Sequence, residues 1–294
     1  MAKITMELIK ELREKTQVGM MDCKKALQEA DGDIDKAIEL LRKKGAAVAQ
    51  KRAGNETNNG HIESCLSPDN KKGVLLKVSC ETDFSANTED MKNFSQEICK
   101  HILNKETKDI ESLLNESLFE NEKITVQQRL EELISRIAES IKTEKFVYLK
   151  TNENGLINSY IHPGANLGVI IELIADKTID EKNKNRVKEL AHDICMQIAV
   201  TNPLSIRPEE LDKSLLRKEQ EVIREQLISS GKPENMIDKI MQGKLKKYYE
   251  EVCLENQRFI KDDKKTISQI INEVSKETDL NIKIKQFARF TVGK

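Results

Sequence analysis

Apolar residues in the first 45 positions recur at helical spacing in three short bursts. Ile4, Leu8 and Leu12 share one face with Ile9 beside them, and Thr5 stands where a helix cap is wanted. Thr16-Gln17-Val18-Gly19 interrupts the pattern. A second helix is predicted from Met20 to about Ala30, carrying Met21, Ala26 and Leu27. Asp31-Gly32-Asp33 breaks the chain again, and Asp33 can cap a third helix that buries Ile34, Ala37, Ile38 and Leu41 and is expected to stop at Gly45. Three helices in so few residues make a small core, the size of a binding module. Residues 46–60 are Ala-rich, then polar, and read as a linker whose first half can be helical.

The pattern then switches to strands and repeats itself. Asn59-Gly60-His61-Ile62-Glu63-Ser64-Cys65-Leu66 matches Asn154-Gly155-Leu156-Ile157-Asn158-Ser159-Tyr160-Ile161, and Gly73–Val78 matches Gly168–Leu173, both at an offset of 95. Glu97-Ile98-Cys99 matches Asp193-Ile194-Cys195 at an offset of 96. Each copy predicts a β-hairpin, closed by Pro68-Asp69-Asn70 or by Pro163-Gly164, then a helix over about 90–103 or 183–200. Strands at 146–149 and 287–290 complete two small sheets. Each copy is also expected to carry a helical insertion. In the first it covers 109–143. In the second, Pro208 to about Glu255 predicts an antiparallel pair of helices around Ser230-Gly231-Lys232-Pro233. Leu211, Leu215, Val222 and Gln226 recur on its first arm; Ile237, Ile240, Met241, Leu245, Tyr248 and Val252 recur on its second.

Composition narrows the function more than the fold. Charged residues make up 34% of the 294, yet the net charge is −1, which lacks the basic excess of a protein that grips phosphate backbone. No direct nucleic-acid partner is expected. Six cysteines occur without a Cys-x-x-Cys pair, so reduced thiols are expected, as in the cytoplasm. The opening Met-Ala-Lys runs straight into the amphipathic pattern, and the longest apolar run, Leu167–Ala175, is too short to span a bilayer.

No phosphate-binding glycine loop, metalloprotease helix or nucleophile elbow occurs, so no enzymatic chemistry, cofactor or metal is expected. Cys80 lies beside Glu81 and Asp83, whose charges would raise a thiol pKa rather than activate it. His162 precedes Pro163-Gly164 on a tight turn from which a side chain can project. The connection Glu81-Thr82-Asp83-Phe84-Ser85-Ala86-Asn87 holds a lone Phe between strand and helix. Phe84 either folds back while Asp83 caps a turn, or stands out as an aromatic anchor for a partner. On pattern alone the two readings are even.

Leu12-Arg13-Glu14-Lys15-Thr16 with Gly19–Leu27, then Cys80-Glu81-Thr82-Asp83-Phe84, then His162-Pro163-Gly164 resemble three segments of the elongation factor Ts family, in order and over nearly the whole chain. The resemblance implies an α+β fold: a ubiquitin-associated-like three-helix domain at 1–54, a duplicated small sheet-and-helix core at 55–150 and at 151–208 with 256–294, and an antiparallel coiled-coil hairpin inserted at 209–255. It implies a guanine-nucleotide exchange factor whose partner is elongation factor Tu. Carried over, Thr82, Asp83, Phe84 and Ser85 would bind the GTPase and dislodge its Mg²⁺, with Phe84 as wedge. His162 would pack close to the Phe84 contact, and Leu12, Met20 and Met21 would lie on or beside the docking surface. The chain departs from the family at Ser85, Asn87 and Asn166, where Val and two basic residues are usual. The resemblance leaves open a weak homodimer or a heterotetramer through the core or the hairpin. An adaptor built on the three-helix unit, or an enzyme with an acidic or thiol site, would not account for the Thr-Asp-Phe connection and the His-Pro-Gly turn together.

Overall fold

The computed structural model describes residues 4–16, 18–119, 121, 123–230 and 234–293. Three helices open the chain: α1 (Met6–Thr16), α2 (Met20–Glu29) and α3 (Ile34–Arg52). Their shared core is Ile9, Leu12, Val18, Cys23, Ala26, Leu27, Ala37 and Leu41. Asp33 caps α3 by accepting the Lys36 N–H at 3.0 Å. The expected stop at Gly45 does not occur. The Ala-rich stretch beyond it carries the helix to Arg52, and Val48 and Ala49 pack against the first core subdomain. Gly45 serves instead as a close-approach point, because a Cβ there would stand 3.2 Å from the Glu131 carbonyl oxygen. The linker shrinks to residues 53–58.

The core then runs β1 (Asn59–Leu66), β2 (Lys72–Cys80), α4 (Asp83–Ala86), α5 (Glu89–Lys105), α6 (Ile110–Asn115), α7 (Val126–Ile137) and β3 (Ile141–Lys150). Its second copy is β4 (Gly155–Ile161), β5 (Leu167–Ile174), α8 (Glu181–Thr201), β6 (Arg258–Phe259), β7 (Asp262–Thr266), α11 (Ile267–Thr278) and β8 (Lys283–Thr291). α9 (Lys213–Ser229) and α10 (Glu234–Val252) interrupt that copy. Two antiparallel sheets result, in the orders β1-β2-β3 and β4-β5-β8.

The repeat extends further than the sequence predicts. Residues 109–143 are not an insertion; α7 and β3 are the first copy's counterparts of α11 and β8. Thr125 and Thr266, 141 positions apart, each form a capping box, with Gln128 and Gln269, and Ala138 and Asp279 close the two helices in the left-handed conformation. The hairpin α9–α10 shifts the offset from 95 to 141, which hides the match from a search at one period. Both sheets also slip register at the same place, between Lys77 and Val78 and between Glu172 and Leu173.

The two sheets face each other over Ile62, Leu75, Leu149, Ile157, Ile170 and Phe290. Gly73 and Gly168 let them close up: a Cβ on Gly73 would meet Ile157 Cγ2 at 2.7 Å, and one on Gly168 would meet Ile62 Cγ2 at 2.6 Å. Hydrogen bonds cross reciprocally, from Ile62 N–H to the Ala165 carbonyl and from Ile157 N–H to the Asn70 carbonyl, each 2.8 Å. The pair is therefore related by a local two-fold.

In the helical arm, Ile223 and Leu227 of α9 meet Ile237, Ile240, Met241 and Leu245 of α10. The expected seam of Leu215 and Val222 is displaced, and both are exposed. Leu211 is buried but precedes α9. The predicted turn at Gly231-Lys232-Pro233 lies outside the described residues. Leu204 N–H to the Val252 carbonyl (2.8 Å) and Leu254 N–H to the Ser205 carbonyl (3.0 Å) clasp the base of the arm. Among the described residues no helix is long and apolar enough to cross a membrane.

Candidate functional site

Strand β2 ends at Cys80, and the chain must reverse to start α5. It does so with two caps in succession. Thr82 Oγ1 accepts the Ser85 N–H at 3.2 Å and opens α4, and Thr88 Oγ1 accepts the Met91 N–H at 3.3 Å and opens α5. The cap is thus Thr82 rather than Asp83, whose Oδ1 takes only the next N–H, that of Phe84, at 2.9 Å. A four-residue helix has no stability of its own. Ala86 anchors it in the core of the first copy, and Asn87 closes it by donating to the Asp83 carbonyl at 2.8 Å. Asn87, a departure from the family pattern, therefore has a local structural role.

This framework holds Phe84 out in solvent with 80% of its surface exposed. The reading in which Phe84 folds back onto the core fails, because Ala86 and Ser85 take the inward positions. Ser85 is 2% exposed, so it shapes the turn from inside and cannot offer its side chain to a partner. The Cys80 thiol donates to the Thr82 carbonyl at 3.1 Å, and burial, followed by the Glu139 charge, pushes it up to about 12. It is a structural thiol with no nucleophilic character at neutral pH.

Two carboxylates surround the tip: Glu81, which the sequence shows only as a charge beside Cys80 and a member of the signature segment, and Glu139, which it does not single out. Glu139 accepts the Thr82 N–H at 3.1 Å with one oxygen and the Thr82 hydroxyl at 2.7 Å with the other. Glu81 Oε1 accepts the Ser140 N–H at 2.6 Å, the Asn55 amide at 3.0 Å and the Arg52 guanidinium at 3.1 Å. The Ser140 N–H, then the Asn55 amide and Arg52, hold the Glu81 carboxyl below its ordinary range. Nothing in the sequence signals these contacts, since 57 positions separate Glu139 from Thr82.

The family of the chain follows from comparison with known proteins. The family model described as Elongation factor TS matches residues 81–294. The elongation factor Ts of Clostridium botulinum (strain Eklund 17B / Type B) is 42% identical over 290 residues, covering 99% of this chain and 93% of that protein. That of Aquifex aeolicus (strain VF5) is 40% identical over 295 residues, covering 99% and 98%. The chain belongs to the elongation factor Ts family. It is a factor of translation elongation and protein biosynthesis.

The remaining residues that the elongation factor Ts resemblance singles out are arranged unevenly. Met20 and Met21, on the first turn of α2, are 43% and 65% exposed, and neither contributes to the three-helix core. Met6 is exposed nearby in sequence. Leu12 is completely buried between the three helices and is a core residue, not a contact residue. The resemblance places it on or beside the docking surface, whereas its helical spacing with Ile9 belongs to the inward face of α1. His162 is exposed on the β4–β5 turn, which Gly164 and Ala165 form with φ of 91° and 51°. Its ring takes a 3.0 Å hydrogen bond with the Tyr160 hydroxyl. Among the described residues no hydrogen bond or ring contact joins it to Phe84. The turn nevertheless lies beside β1 through the Ile62–Ala165 bond, and β1 pairs at its start with Cys80. Asn166 spends its carbonyl on the Val292 N–H at 2.8 Å, within the same sheet corner.

Among the described residues no group of three or more His, Cys, Asp or Glu side chains is arranged to hold a metal ion. What the tip offers is an apolar ring on a rigid stem, with hydrogen-bonding groups at its base.

Proposed function

We propose that the chain promotes release of GDP from elongation factor Tu and stabilises its nucleotide-free state, with Phe84 as wedge. The observation that carries this reading is the exposure of Phe84 on a doubly capped turn. A large aromatic ring is held in water while Ser85 and Ala86 take the inward positions of the turn. Such anchors dominate the energetics of protein interfaces. Membership of the elongation factor Ts family supports the choice of partner.

No bond need be made or broken by the factor. A GTPase holds GDP through its phosphates and a Mg²⁺ that bridges them to the protein. A factor that binds the nucleotide-free GTPase more tightly than the GDP-bound form weakens GDP by the same ratio, since the coupling is reciprocal. In this reading Phe84 inserts between elements of the GTPase that support the Mg²⁺ and phosphate contacts. Asp83, exposed beside it, competes for local hydrogen bonds. Met20 and Met21 supply a second, adaptable apolar contact from the three-helix unit, and His162 a polar one from the second copy.

Release of labelled GDP from purified elongation factor Tu tests this. The wild-type chain is expected to accelerate release. Phe84→Ala is expected to lower that acceleration about 30-fold, the loss of about 2 kcal/mol typical of an interface anchor. No acceleration by the wild-type chain would sink the proposal, and full acceleration by Phe84→Ala would remove the wedge from it.

A further inference from the structure

The contacts at the base of the tip are reciprocal. Glu139, at the end of α7, reaches across and accepts the Thr82 backbone N–H; Glu81, at the end of β2, reaches back and accepts the Ser140 backbone N–H. Each segment's carboxylate thus satisfies the other's main chain. Thr82 is locked twice over, because its hydroxyl donates to Glu139 and at the same time accepts the Ser85 N–H that caps α4. Glu139 takes the two Thr82 donors on separate oxygens, so a carboxamide, with one acceptor oxygen, gives up one of the two bonds in this geometry. Glu81 extends the lock to the three-helix unit, through Arg52 at the end of α3 and Asn55 just after it.

We infer that Glu81 and Glu139 are positioning residues for Phe84, a two-way latch that orders the tip before a partner arrives and fixes its placement relative to the N-terminal helices. Both carboxylates are half-buried, and the one ion pair between them and a base, Glu81 with Arg52, is a partly exposed one of the kind that contributes little to global stability. Their work is local: they freeze a four-residue turn that could not form alone, so that the ordering entropy is not charged against binding. The latch also joins two separate contact surfaces, the exposed methionines of α2 and the Phe84 ring, into one preset arrangement.

This inference rests on the exchange reading of Phe84, and the test has two arms that separate them. The first arm measures hydrogen exchange at the Thr82 and Ser85 amides of the free full-length chain. Glu139→Gln, which keeps the size of the side chain but removes one acceptor, is expected to speed exchange there about tenfold while the melting temperature moves by less than about 2 °C. The second arm measures stimulated GDP release by Glu139→Gln, Glu81→Gln, Glu139→Asp, Phe84→Ala and the Glu139→Gln/Phe84→Ala double variant. Each Gln variant is expected to lose about tenfold in stimulation at subsaturating factor. Glu139→Asp, which keeps both oxygens, is expected to recover part of it. On the Phe84→Ala background Glu139→Gln is expected to add less than about twofold, because both act through the same ring. Unchanged release by the Gln variants, beside a defective Phe84→Ala, overturns the latch and leaves the exchange reading standing. A loss that multiplies fully in the double variant overturns it too, since Glu139 then acts elsewhere. If Phe84→Ala retains full stimulation, the wedge reading falls and the positioning role falls with it, whatever the first arm shows.

Discussion

The two copies of the core share a frame and differ in the chemistry placed on it. Where the first copy sets Lys77 against Glu144 at 3.0 Å, the second sets Glu172 against Lys285 at 2.9 Å, at corresponding positions beside corresponding bulges, with the charges exchanged. Where the first copy buries His101, bonded to Glu116 at 2.7 Å, the second buries Gln197, bonded to Gln257 at 3.2 Å. Two of the surrounding bonds match, although the Gln197 and Gln257 amides also donate to the Arg258 and Glu251 carbonyls. Thr107 and Thr201 each donate to the second group, and the N–H groups of Phe119 and Ile260 each donate to the first. Frame and polar satisfaction are retained; the identity of the groups is not. After the second strand the copies part. The first builds the capped, latched tip of Phe84. The second crosses directly from β5 to α8: Asp176 accepts the Asn281 N–H at 2.8 Å, the counterpart of the Glu81–Ser140 bond, but Lys177, paired to Asp279 at 2.6 Å, stands where the first copy has Thr82 bonded to Glu139. The exposed aromatic tip sits where the duplication has diverged in backbone, not merely in side chains.

The reversed ion pairs give the strongest test of that comparison. Lys77 and Glu172 are the buried members; their partners reach solvent. Lys77→Glu places two carboxylates together, and Glu172→Lys places two ammonium groups together and strands the Gln286 amide that now donates to Glu172 at 2.6 Å. Each single change is expected to cost about 3–5 kcal/mol in urea unfolding. Lys77→Glu with Glu144→Lys, which converts the first copy to the polarity of the second, is expected to recover most of the loss. A double variant no better than the single would show that the two frames are not interchangeable.

How much of this could be read along the chain depends on whether a signal is local. The hairpins, the α2 and α3 boundaries near Asp31-Gly32-Asp33 and the Thr-Asp-Phe connection are local, and each lies where the pattern places it. Gly45 misled because a glycine at a helix end and a glycine at a helix crossing look alike; only α7, some 90 residues on, distinguishes them. The second half of the repeat was hidden by the arm that separates its counterparts. The arm's seam was displaced by one residue, from Val222 to Ile223, where neighbouring apolar positions offer two registers. For Leu12 against Met20 and Met21, periodicity marks a face as apolar without saying whether it is covered. Glu139 carried no pattern at all, and Glu81 only its place in the Cys80–Phe84 signature, because contacts between segments far apart in sequence need no periodicity.

The buried polar clusters test the same comparison at lower energy. His101→Ala removes the acceptor for the Phe119 N–H and the partner of Glu116, and is expected to cost about 1–3 kcal/mol. Replacing His101 and Glu116 together by Gln copies the arrangement of the second half, in which Gln197 Oε1 receives the Ile260 N–H at 2.9 Å. That pair of changes is expected to stay within about 1 kcal/mol of wild type in the same unfolding measurement. A double change as costly as His101→Ala would mean that the clusters agree in outline but not in the space they leave.

The smallest expected effect separates the copies by pH. Glu106 ends α5 in the left-handed conformation, as Asn202 ends α8, but only Glu106 bridges two strands, to Lys72 at 2.7 Å and Lys150 at 2.8 Å. The Lys150 and then the Lys72 ammonium hold its carboxyl down at about 2. Its folded value is below its unfolded one, so its contribution is complete above the ordinary carboxylate range and is lost as pH falls towards about 2. Asn202 has no proton to gain there. Acid is therefore expected to loosen the α5 end of the first copy while leaving the α8 end of the second unchanged. Amide exchange followed between about pH 4.5 and 2 reads this directly, comparing Glu106 with Asn202, whose N–H groups bond the Ile102 and Ile198 carbonyls at 2.9 and 3.0 Å. Because the site is exposed, high salt is expected to shrink the difference by screening the lysines. Equal loosening at both helix ends would show that the acid response belongs to the shared frame, and that the charges placed on one copy do not tell it apart from the other.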